Sequence, residues 1–471
     1  MALSVKGREF VGDEFGNADL GDARLTKRLA RVASAVVADP SASFPQATGA
    51  DAELEGTYRF LSNPRVSPDA VLAPHLRATA RRIAAEPIVV IAHDTTEFTF
   101  GSFPRGDLGR TGRGDSYGFC AHVSLAVTAD DRRLPLGVVG VHRFNRAFGA
   151  PRVRNGNYKN DPSNTMLRWG AQVRAVHDGL EDPSRVIHVM DREADDYTLM
   201  AEMVDQGQRF VVRQNGNRRQ HADHRVPKVR DAFDSVAVVA TREVPLTARR
   251  PISKKAHRSK HPTRDGRLAE LEFRAATVPV ARADSASKTV PRQIGLNVVH
   301  ALEVNAPEGC EPVEWWLWTN EPIGNAEEIL AVVDAYRCRW TIEEFFKALK
   351  TGCAFEKRQL ESAHALANAL AVFAPVAWRL LLLRTLARHT EAPANAALNT
   401  NQIECLRAFT LERHSRSLPK VLTARDAMLA IAKMGGHIRN NGDPGWIVLG
   451  RGFDRLLDVE LGFAIARSDQ S

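Results

Sequence analysis

Long apolar runs are missing from this sequence of 471 residues. It contains no run of about 18 apolar residues, the minimum for a helix that crosses a bilayer. Its first residues, MALSVKGREFVGDEF, also lack the apolar core of about 7 to 15 residues that a secretory signal requires. We therefore expect a cytoplasmic protein with no membrane partner.

Cysteine is scarce, and no paired spacing typical of a metal site is present. The five cysteines are dispersed along the chain and odd in number. This pattern argues against a disulfide-stabilised secreted domain and predicts reduced, mostly buried thiols.

Basic residues exceed acidic ones, and the excess is local. The chain has 64 Lys and Arg against 56 Asp and Glu, a net charge of +8. Residues 242–267 hold nine basic side chains, among them Lys254 and Lys255, against two acidic ones. Such density favours a polyanionic partner, although a solubilising loop is the alternative. If the partner is DNA, we expect Lys254 and Lys255 to contact it and the protein to be nucleoid-associated.

The N-terminal region has the pattern of a basic amphipathic helix. Asp22 is a candidate cap, and apolar residues then recur at helical spacing from Leu25 to Val36. Arg24 and Arg28 fall on the opposite side, where they suit a DNA backbone, although a solvated helical face is the alternative. We place this helical domain at 1–68.

An α/β pattern follows in the region 69–365. Three strand-like runs precede a helix, a strand, another helix and a further strand, which is the order of a ribonuclease-H-like core. In that order the first and fourth strands are neighbours. Their last residues, Asp94 and Asp191, would then lie side by side. A β-rich insertion is expected at about 229–304, and a helical C-terminal region at 366–471.

The run 331–350 has no Gly or Pro, and we predict that it forms one helix. At about 100° per residue, five polar side chains form one stripe on this helix. They are Tyr336, Arg339, Glu343, Lys347 and Lys350.

Three carboxylates therefore mark a candidate metal site. Asp94, Asp191 and Glu343 offer the hard oxygen ligands that suit Mg²⁺. Two such ions can activate water and stabilise the leaving oxygen of a phosphodiester. Each Asp could instead cap the element that follows it. Glu344 is an alternative to Glu343, and Glu193 and Asp195 are alternatives to Asp191.

The same residues resemble a known family. Asp94-Thr95-Thr96, the run DREAD from Asp191, and the spacing Y-x2-R-x3-E-x6-K from Tyr336 are similar to motifs of DDE transposases of the insertion-sequence-four family. LGDARLTKRL and EGTYRFLSNPRVS near the start, FVVR ending at Arg213, and EWWLWTNEP around Trp315 extend the resemblance over nearly the whole chain.

The resemblance implies a transposase with Asp94, Asp191 and Glu343 as ligands of two Mg²⁺ ions, for which Mn²⁺ can substitute. It also implies that Tyr336, Arg339, Lys347, Lys350 and Arg213 bind DNA phosphates and that Trp315 stacks on a flipped base. The expected partners are double-stranded DNA at the transposon inverted repeats, target DNA, and a second copy of the chain paired through 366–471. A structure-selective nuclease and a non-catalytic DNA-binding inhibitor of transposition are the two alternatives.

Overall fold

The computed structural model of the protein describes residues 7–104, 107–112, 116–145, 167–218, 220, 228–246, 248, 264–284, 286–389, 391–415, 417–438 and 443–468. These residues form two compact units. The first unit draws on 1–153, 171–185 and 340–471, and the second on 154–170 and 186–339. Both units combine helices with a β-sheet.

The helices, in chain order, are α1 (Gly7–Phe15), α2 (Ala23–Ala38), α3 (Phe44–Thr48), α4 (Asp51–Ser62), α5 (Pro68–Ala84), α6 (Leu167–Asp178), α7 (Tyr197–Asp205), α8 (Ala326–Cys338), α9 (Trp340–Lys347), α10 (Ala363–Leu386), α11 (Thr400–His414), α12 (Ala424–Met434) and α13 (Trp446–Ser468). The strands are β1 (Val89–Thr99), β2 (Gly109–Thr111), β3 (Ser116–Thr128), β4 (Pro135–Phe144), β5 (Val186–Met190), β6 (Arg209–Arg213), β7 (Ala240–Leu246), β8 (Arg267–Ala281), β9 (Gln293–Glu303) and β10 (Glu314–Thr319).

Helix α2 begins where the sequence predicts. The Asp22 side chain accepts a hydrogen bond from the Arg24 backbone N–H, which satisfies one of the unpaired donors at the helix start. Leu29, Val32 and Val36 are buried. The apolar stripe therefore faces the interior of the first unit and leaves the basic stripe toward solvent.

The sheet of the first unit is antiparallel. Strand β3 pairs with β1 along one edge and with β4 and β2 along the other. Helix α10 forms the centre of this unit, packing against β4, α5, α4 and α12. By length and composition α10 could cross a membrane, but its most apolar stretch is entirely buried within the protein. Helix α10 is thus a core helix.

The second unit contains a mixed sheet. Its order is β5, β6, β10, β9, β8, β7, in which β5 and β6 are parallel and the other neighbours antiparallel. Helix α8 packs across this sheet, touching β5, β6, β8 and β9. Strand β7 is the last strand of this order.

The prediction that a strand ends at Asp94 is wrong. Asp94 lies within β1, paired with Val123 of β3. The first five residues of β1 are all buried, whereas Thr95, Glu97 and Thr99 beyond Asp94 are half-buried. Pairing with β3 along its whole length carries β1 past the polar residues that appeared to terminate it. Asp94 and Asp191 belong to different units, and their adjacency stays a prediction.

The predicted helix 331–350 is divided. Helix α8 ends at Cys338, α9 begins at Trp340, and residues Ala348–Gly352 form a π-helical turn. The backbone N–H of Arg339 bonds to the carbonyls of Tyr336 and Arg337, which closes α8 with a tight last turn. The second helix predicted in the α/β region is likewise two elements, a 3₁₀ turn Arg192–Ala194 and then α7, which Asp196 caps.

Candidate active site

Asp191 directly follows β5, all of whose residues are buried. Its side chain accepts a hydrogen bond of 2.8 Å from the Glu193 backbone N–H and so caps the 3₁₀ turn Arg192–Ala194. The capping role considered as an alternative is therefore present. It occupies one carboxylate oxygen, Oδ1, and each carboxylate oxygen offers more than one acceptor position.

Burial raises the pKa of Asp191 above its usual range, because a charged carboxylate loses hydration there. The Glu193 N–H and the positive charges of Arg339 and Arg168 oppose this shift, whereas the charge of Glu193 adds to it. Arg339 and Arg168 are themselves buried. A half-buried carboxylate with a raised pKa beside buried cations is the kind of environment found at functional sites.

The two acidic alternatives to Asp191 are each held by an arginine. Glu193 pairs with Arg168 at 2.7 Å. Asp195 is almost fully buried, accepts two hydrogen bonds from the Arg218 guanidinium, and also accepts the backbone N–H of Asn215. Asp195 therefore organises the loop after β6, which favours Asp191 as the metal ligand.

In the first unit, α9 packs against β1 and β3. This packing brings the helix that carries Glu343 against the strand that carries Asp94. Asp94 Oδ1 accepts the backbone N–H of Thr95 at 2.7 Å. Glu344, the alternative to Glu343, pairs with Lys347 at 2.7 Å and with Arg388 at 3.6 Å. Two cations thus hold Glu344, which favours Glu343 as the ligand.

The signature residues do not share one solvated face. Tyr336 and Arg339 are buried, whereas Lys347 is exposed and Lys350 is half-buried. The Lys350 ammonium donates a hydrogen bond of 2.6 Å to the Glu97 carbonyl of β1 and lies over the Phe98 ring. The prediction that these residues form one polar stripe on a single helix is therefore wrong, because the helix divides after Cys338.

Trp315 and Trp316 of β10 have different environments. Trp316 is buried, stacks on His300 at 3.8 Å between ring centroids, and donates its indole N–H to Glu314. Trp315 is only half-buried, and the Tyr336 ring meets it edge-on at 5.5 Å. Trp316 is a core residue, and Trp315 is the more exposed of the two rings.

Arg213 completes a cluster with Tyr336. Its guanidinium donates a hydrogen bond of 3.1 Å to the Glu314 carbonyl. Burial lowers the pKa of Arg213, and the charges of Arg192 and Arg339 lower it further. The interaction with Tyr336, which includes a hydrogen bond, opposes this shift. Arg213, Tyr336 and Trp315 therefore form one connected group in the second unit.

The cations of α2 differ in availability. Arg24 is exposed and pairs with Asp22, whereas Arg28 and Arg31 share Glu53 of α4 at 2.6 and 3.0 Å. Lys27 is exposed, and it has no ion pair among the described residues. Lys27 thus extends the predicted DNA-facing set. Lys254 and Lys255 lie outside the described residues.

Arg168 is a residue of this site that the sequence does not predict. Its side chain is buried beside Asp191 and Glu193, yet it lies in a different element of the sequence, at the start of α6. No motif marks it, and only the fold of the second unit reveals the contact.

The donor set suits a divalent cation. Asp94, Asp191 and Glu343 are oxygen ligands, and partial burial raises the pKa of Asp191, so a nearby cation would stabilise its negative charge. Among the described residues, no three His, Cys, Asp or Glu side chains are grouped so that they could hold a metal ion. The ligand set Asp94, Asp191 and Glu343 therefore stays a prediction.

Two family models match the chain. One, described as "Transposase DNA-binding", covers residues 7–66, and the other, "Transposase DDE domain", covers residues 170–374. The first range contains α2, and the second contains Asp191 and Glu343 but not Asp94. A DDE domain implies a ribonuclease-H-like core.

Among solved structures, the chain is similar to one described as the cryo-EM structure of the piggyBac transposase synaptic complex with hairpin DNA. The identity is 8% and the TM-score 0.37, over 89% of this chain and 84% of that one. The two family matches carry the assignment by themselves. The chain is a DDE transposase, a metal-dependent enzyme that acts on DNA.

Proposed function

We propose that the protein cuts DNA at the inverted repeats of its own transposon and joins the freed ends to target DNA. The observation that carries this proposal is Asp191, a half-buried carboxylate with a raised pKa that directly follows β5 within the region matching a DDE domain. In this proposal Asp94, Asp191 and Glu343 hold two divalent ions, with Mg²⁺ as the natural pair and Mn²⁺ as a substitute. When bound, such ions supply Lewis acidity at the phosphodiester and lower the pKa of an attacking water.

The residues of the chain bind and orient the DNA. Lys347 and Lys350 contact phosphates, which releases counterions and adds affinity without sequence preference. Tyr336, Arg213 and Arg339 hold the phosphates nearest the cut. Arg24, Arg28 and Lys27 contact the backbone of the terminal repeat, in the region that matches a transposase DNA-binding model.

The reaction sequence has four phosphoryl transfers. Water attacks a phosphorus at the transposon end, the bond to the O3′ leaving group breaks, and a free 3′ hydroxyl results. This hydroxyl attacks the opposite strand, forms a hairpin and releases the flanking DNA. A second water opens the hairpin, and the regenerated 3′ hydroxyl attacks target DNA.

The finer assignment rests on sequence resemblance. The Y-x2-R-x3-E-x6-K spacing from Tyr336 favours the insertion-sequence-four family, and the resemblance is to the cut-and-paste transposase of a kanamycin-resistance composite transposon. We infer that two copies pair in the synaptic complex through 366–471. That region exposes large apolar side chains at Leu411, Val421 and Ile438. The reaction would take place in the cytoplasm at the nucleoid.

The test uses purified protein, end duplexes copied from the DNA that flanks its gene, a supercoiled plasmid and Mg²⁺. We expect plasmid molecules that carry end DNA joined through both of its 3′ ends. Nicked ends without joined product would favour a structure-selective nuclease. Binding without nicking would favour a non-catalytic inhibitor of transposition.

Hairpin formation has its own test at Trp315. A base expelled from the stack costs a few kcal/mol, and stacking on an aromatic side chain offsets about 1 to 3 kcal/mol of it. We expect Trp315→Ala to leave first-strand nicking largely unchanged and to slow hairpin formation by roughly 10- to 100-fold. Equal slowing of both steps would instead show that the half-buried Trp315 acts as a core residue.

A further inference from the structure

Helix α8 is held to the sheet of the second unit by a two-point ion pair. The Arg242 guanidinium of β7 contacts both carboxylate oxygens of Asp334, with Nη1 to Oδ2 at 2.8 Å and Nη2 to Oδ1 at 3.0 Å. Both side chains are about one-quarter exposed. A fork of this kind fixes orientation as well as distance, because two parallel bonds oppose rotation of either partner.

The pair is stable in its charged form. Burial by itself would raise the pKa of Asp334, but hydrogen bonds and charge from Arg242, and then from Arg337, lower it below its ordinary value. Arg337 lies on α8 itself and reaches Asp334 Oδ1 at 3.0 Å. Two arginines therefore contact the same oxygen at the same distance. Of these two contacts, that of Arg242 links α8 to another element and that of Arg337 stays within α8.

A different side of α8 carries the DNA-handling group. Tyr336 is two residues beyond Asp334, about 200° round the helix at about 100° per residue. Its ring lies edge-on to Trp315 of β10, and it interacts with Arg213 of β6. Rotation or sliding of α8 would therefore change the contact between Tyr336 and Trp315.

Apolar packing alone fixes this rotation poorly. Helix α8 has 13 residues and touches four strands of the sheet. Apolar contacts of this kind are non-directional. The Arg242–Asp334 pair adds a directional contact from β7, away from the contacts that Tyr336 makes with Trp315 of β10 and Arg213 of β6.

We propose that Arg242 and Asp334 are positioning residues for base capture, which act by holding α8 so that Tyr336 fixes the ring of Trp315. This inference rests on the proposed role of Trp315 as a base-stacking residue. Neither Arg242 nor Asp334 touches the DNA in this account.

The experiment measures equilibrium affinity for two end duplexes, one fully paired and one with a single unpaired base at the cleavage position. The ratio of the two affinities reports base capture and needs no catalysis. The variants are Arg242→Gln, Asp334→Asn and Trp315→Ala, with Arg242→Lys as the conservative change. Arg337→Gln is the matched control, since it removes the contact to Asp334 that stays within α8. Urea unfolding of each variant confirms that it is folded.

We expect the wild-type protein to prefer the unpaired base by roughly 10- to 100-fold, the range that stacking on one aromatic ring gives. Arg242→Gln and Asp334→Asn should reduce the preference toward that of Trp315→Ala, and Arg242→Lys should restore part of it. Arg337→Gln should keep the wild-type ratio. In the double variant with Trp315→Ala, Arg242→Gln should have no further effect, because both act on one contact.

Three contrary results are distinguishable. A wild-type ratio that Trp315→Ala leaves unchanged would remove the proposed role of Trp315, and this inference with it. A ratio that depends on Trp315 but not on Arg242 or Asp334 would overturn the positioning role alone. So would an effect of Arg242→Gln that persists in the absence of Trp315, since the ion pair would then act elsewhere in the second unit.

Discussion

Two ion pairs of equal length lie beside predicted catalytic carboxylates, one in each unit. Arg168 and Glu193, next to Asp191, are 2.7 Å apart, and so are Lys347 and Glu344, next to Glu343. Their surroundings differ. The Arg168 side chain is 4% exposed and that of Lys347 is 57% exposed. The comparison shows that contact distance alone does not say what an ion pair does.

Burial separates their roles. A buried arginine that loses its partner leaves an uncompensated charge. The Arg168–Glu193 pair is therefore a structural contact that holds the end of β5 at Asp191. An exposed lysine is hydrated with or without its partner, so Lys347 can exchange Glu344 for a DNA phosphate at little cost. The first pair supports structure, and the second leaves a cation available for binding.

A third pair of the same length extends the series. Arg82 of α5 and Glu14 of α1 are 2.7 Å apart, with Glu14 3% exposed. His75 also contacts Glu14, and its Nε2 accepts the Val138 backbone N–H at 3.0 Å. Nδ1 of the neutral ring is therefore the donor to Glu14. This network ties α1 and α5 to β4, and its acidic partner is the most buried of the three.

The largest effect is expected at Glu14. Glu14→Gln should lower the free energy of unfolding by about 3 to 5 kcal/mol, since it leaves Arg82, whose side chain is 14% exposed, without its charge partner. Glu55→Gln is the matched control, because Glu55 pairs with Arg59 at the surface, and it should change stability by less than about 0.5 kcal/mol. Urea unfolding at neutral pH measures both. Equal losses in the two variants would show that burial does not set the strength of these pairs.

The same residue predicts an acid dependence. Burial by itself would raise the pKa of Glu14, but its contacts with His75 and Arg82 lower it from 4.5 to about 2. A lowered carboxyl pKa contributes stability that is fully present above pH 4.5 and is lost as pH falls through about 2. Unfolding measured from pH 5 to about 2 should therefore show a shallower loss in Glu14→Gln than in the wild type.

An intermediate effect is expected at Arg168. Arg168→Ala should destabilise the protein by about 2 kcal/mol, less than at Glu14, because Glu193 is 43% exposed and regains hydration. It should also reduce DNA cleavage, because Asp191 loses a nearby positive charge. Arg168→Lys should recover part of both properties. Normal cleavage by a destabilised Arg168→Ala would confine this residue to folding.

The smallest effect on stability is expected at Lys347. Lys347→Ala should change the free energy of unfolding by less than about 0.5 kcal/mol. Its effect should appear in DNA binding, where loss of one phosphate contact reduces the slope of log affinity against log salt by about 0.9. Titrations from about 50 to 200 mM salt measure this slope. An unchanged slope would show that Lys347 is a surface partner of Glu344 and makes no phosphate contact.

The sequence predicted those features that depend on local pattern. The cap at Asp22 and the apolar stripe of α2 are as expected, because capping and helical periodicity are local. The position of Asp191 after a buried strand is also as expected. The run Val186–Met190, which is apolar except for His188, indicates a buried strand from its composition alone.

Features that depend on partners distant in sequence could not be predicted. Asp94 lies inside β1 because β3 pairs with the whole strand. The division between α8 and α9 has no Gly or Pro to mark it. Arg168 and Glu53 are single residues, and their contacts exist only once separate elements are packed. Tertiary contacts therefore decided the parts of the site that periodicity left open.

The central claim is that Glu343, with Asp94 and Asp191, performs the cleavage chemistry, and two neighbouring glutamates test it most directly. Glu343→Gln and Glu344→Gln make the same chemical change at adjacent positions of α9. First-strand nicking of end DNA in Mg²⁺ should fall below detection in Glu343→Gln, while binding to the same DNA stays near the wild-type level. Glu344→Gln, which loses only the contacts to Lys347 and Arg388, should nick at a rate close to that of the wild type. Nicking by Glu343→Gln at the wild-type rate, or its loss in Glu344→Gln alone, would contradict the claim.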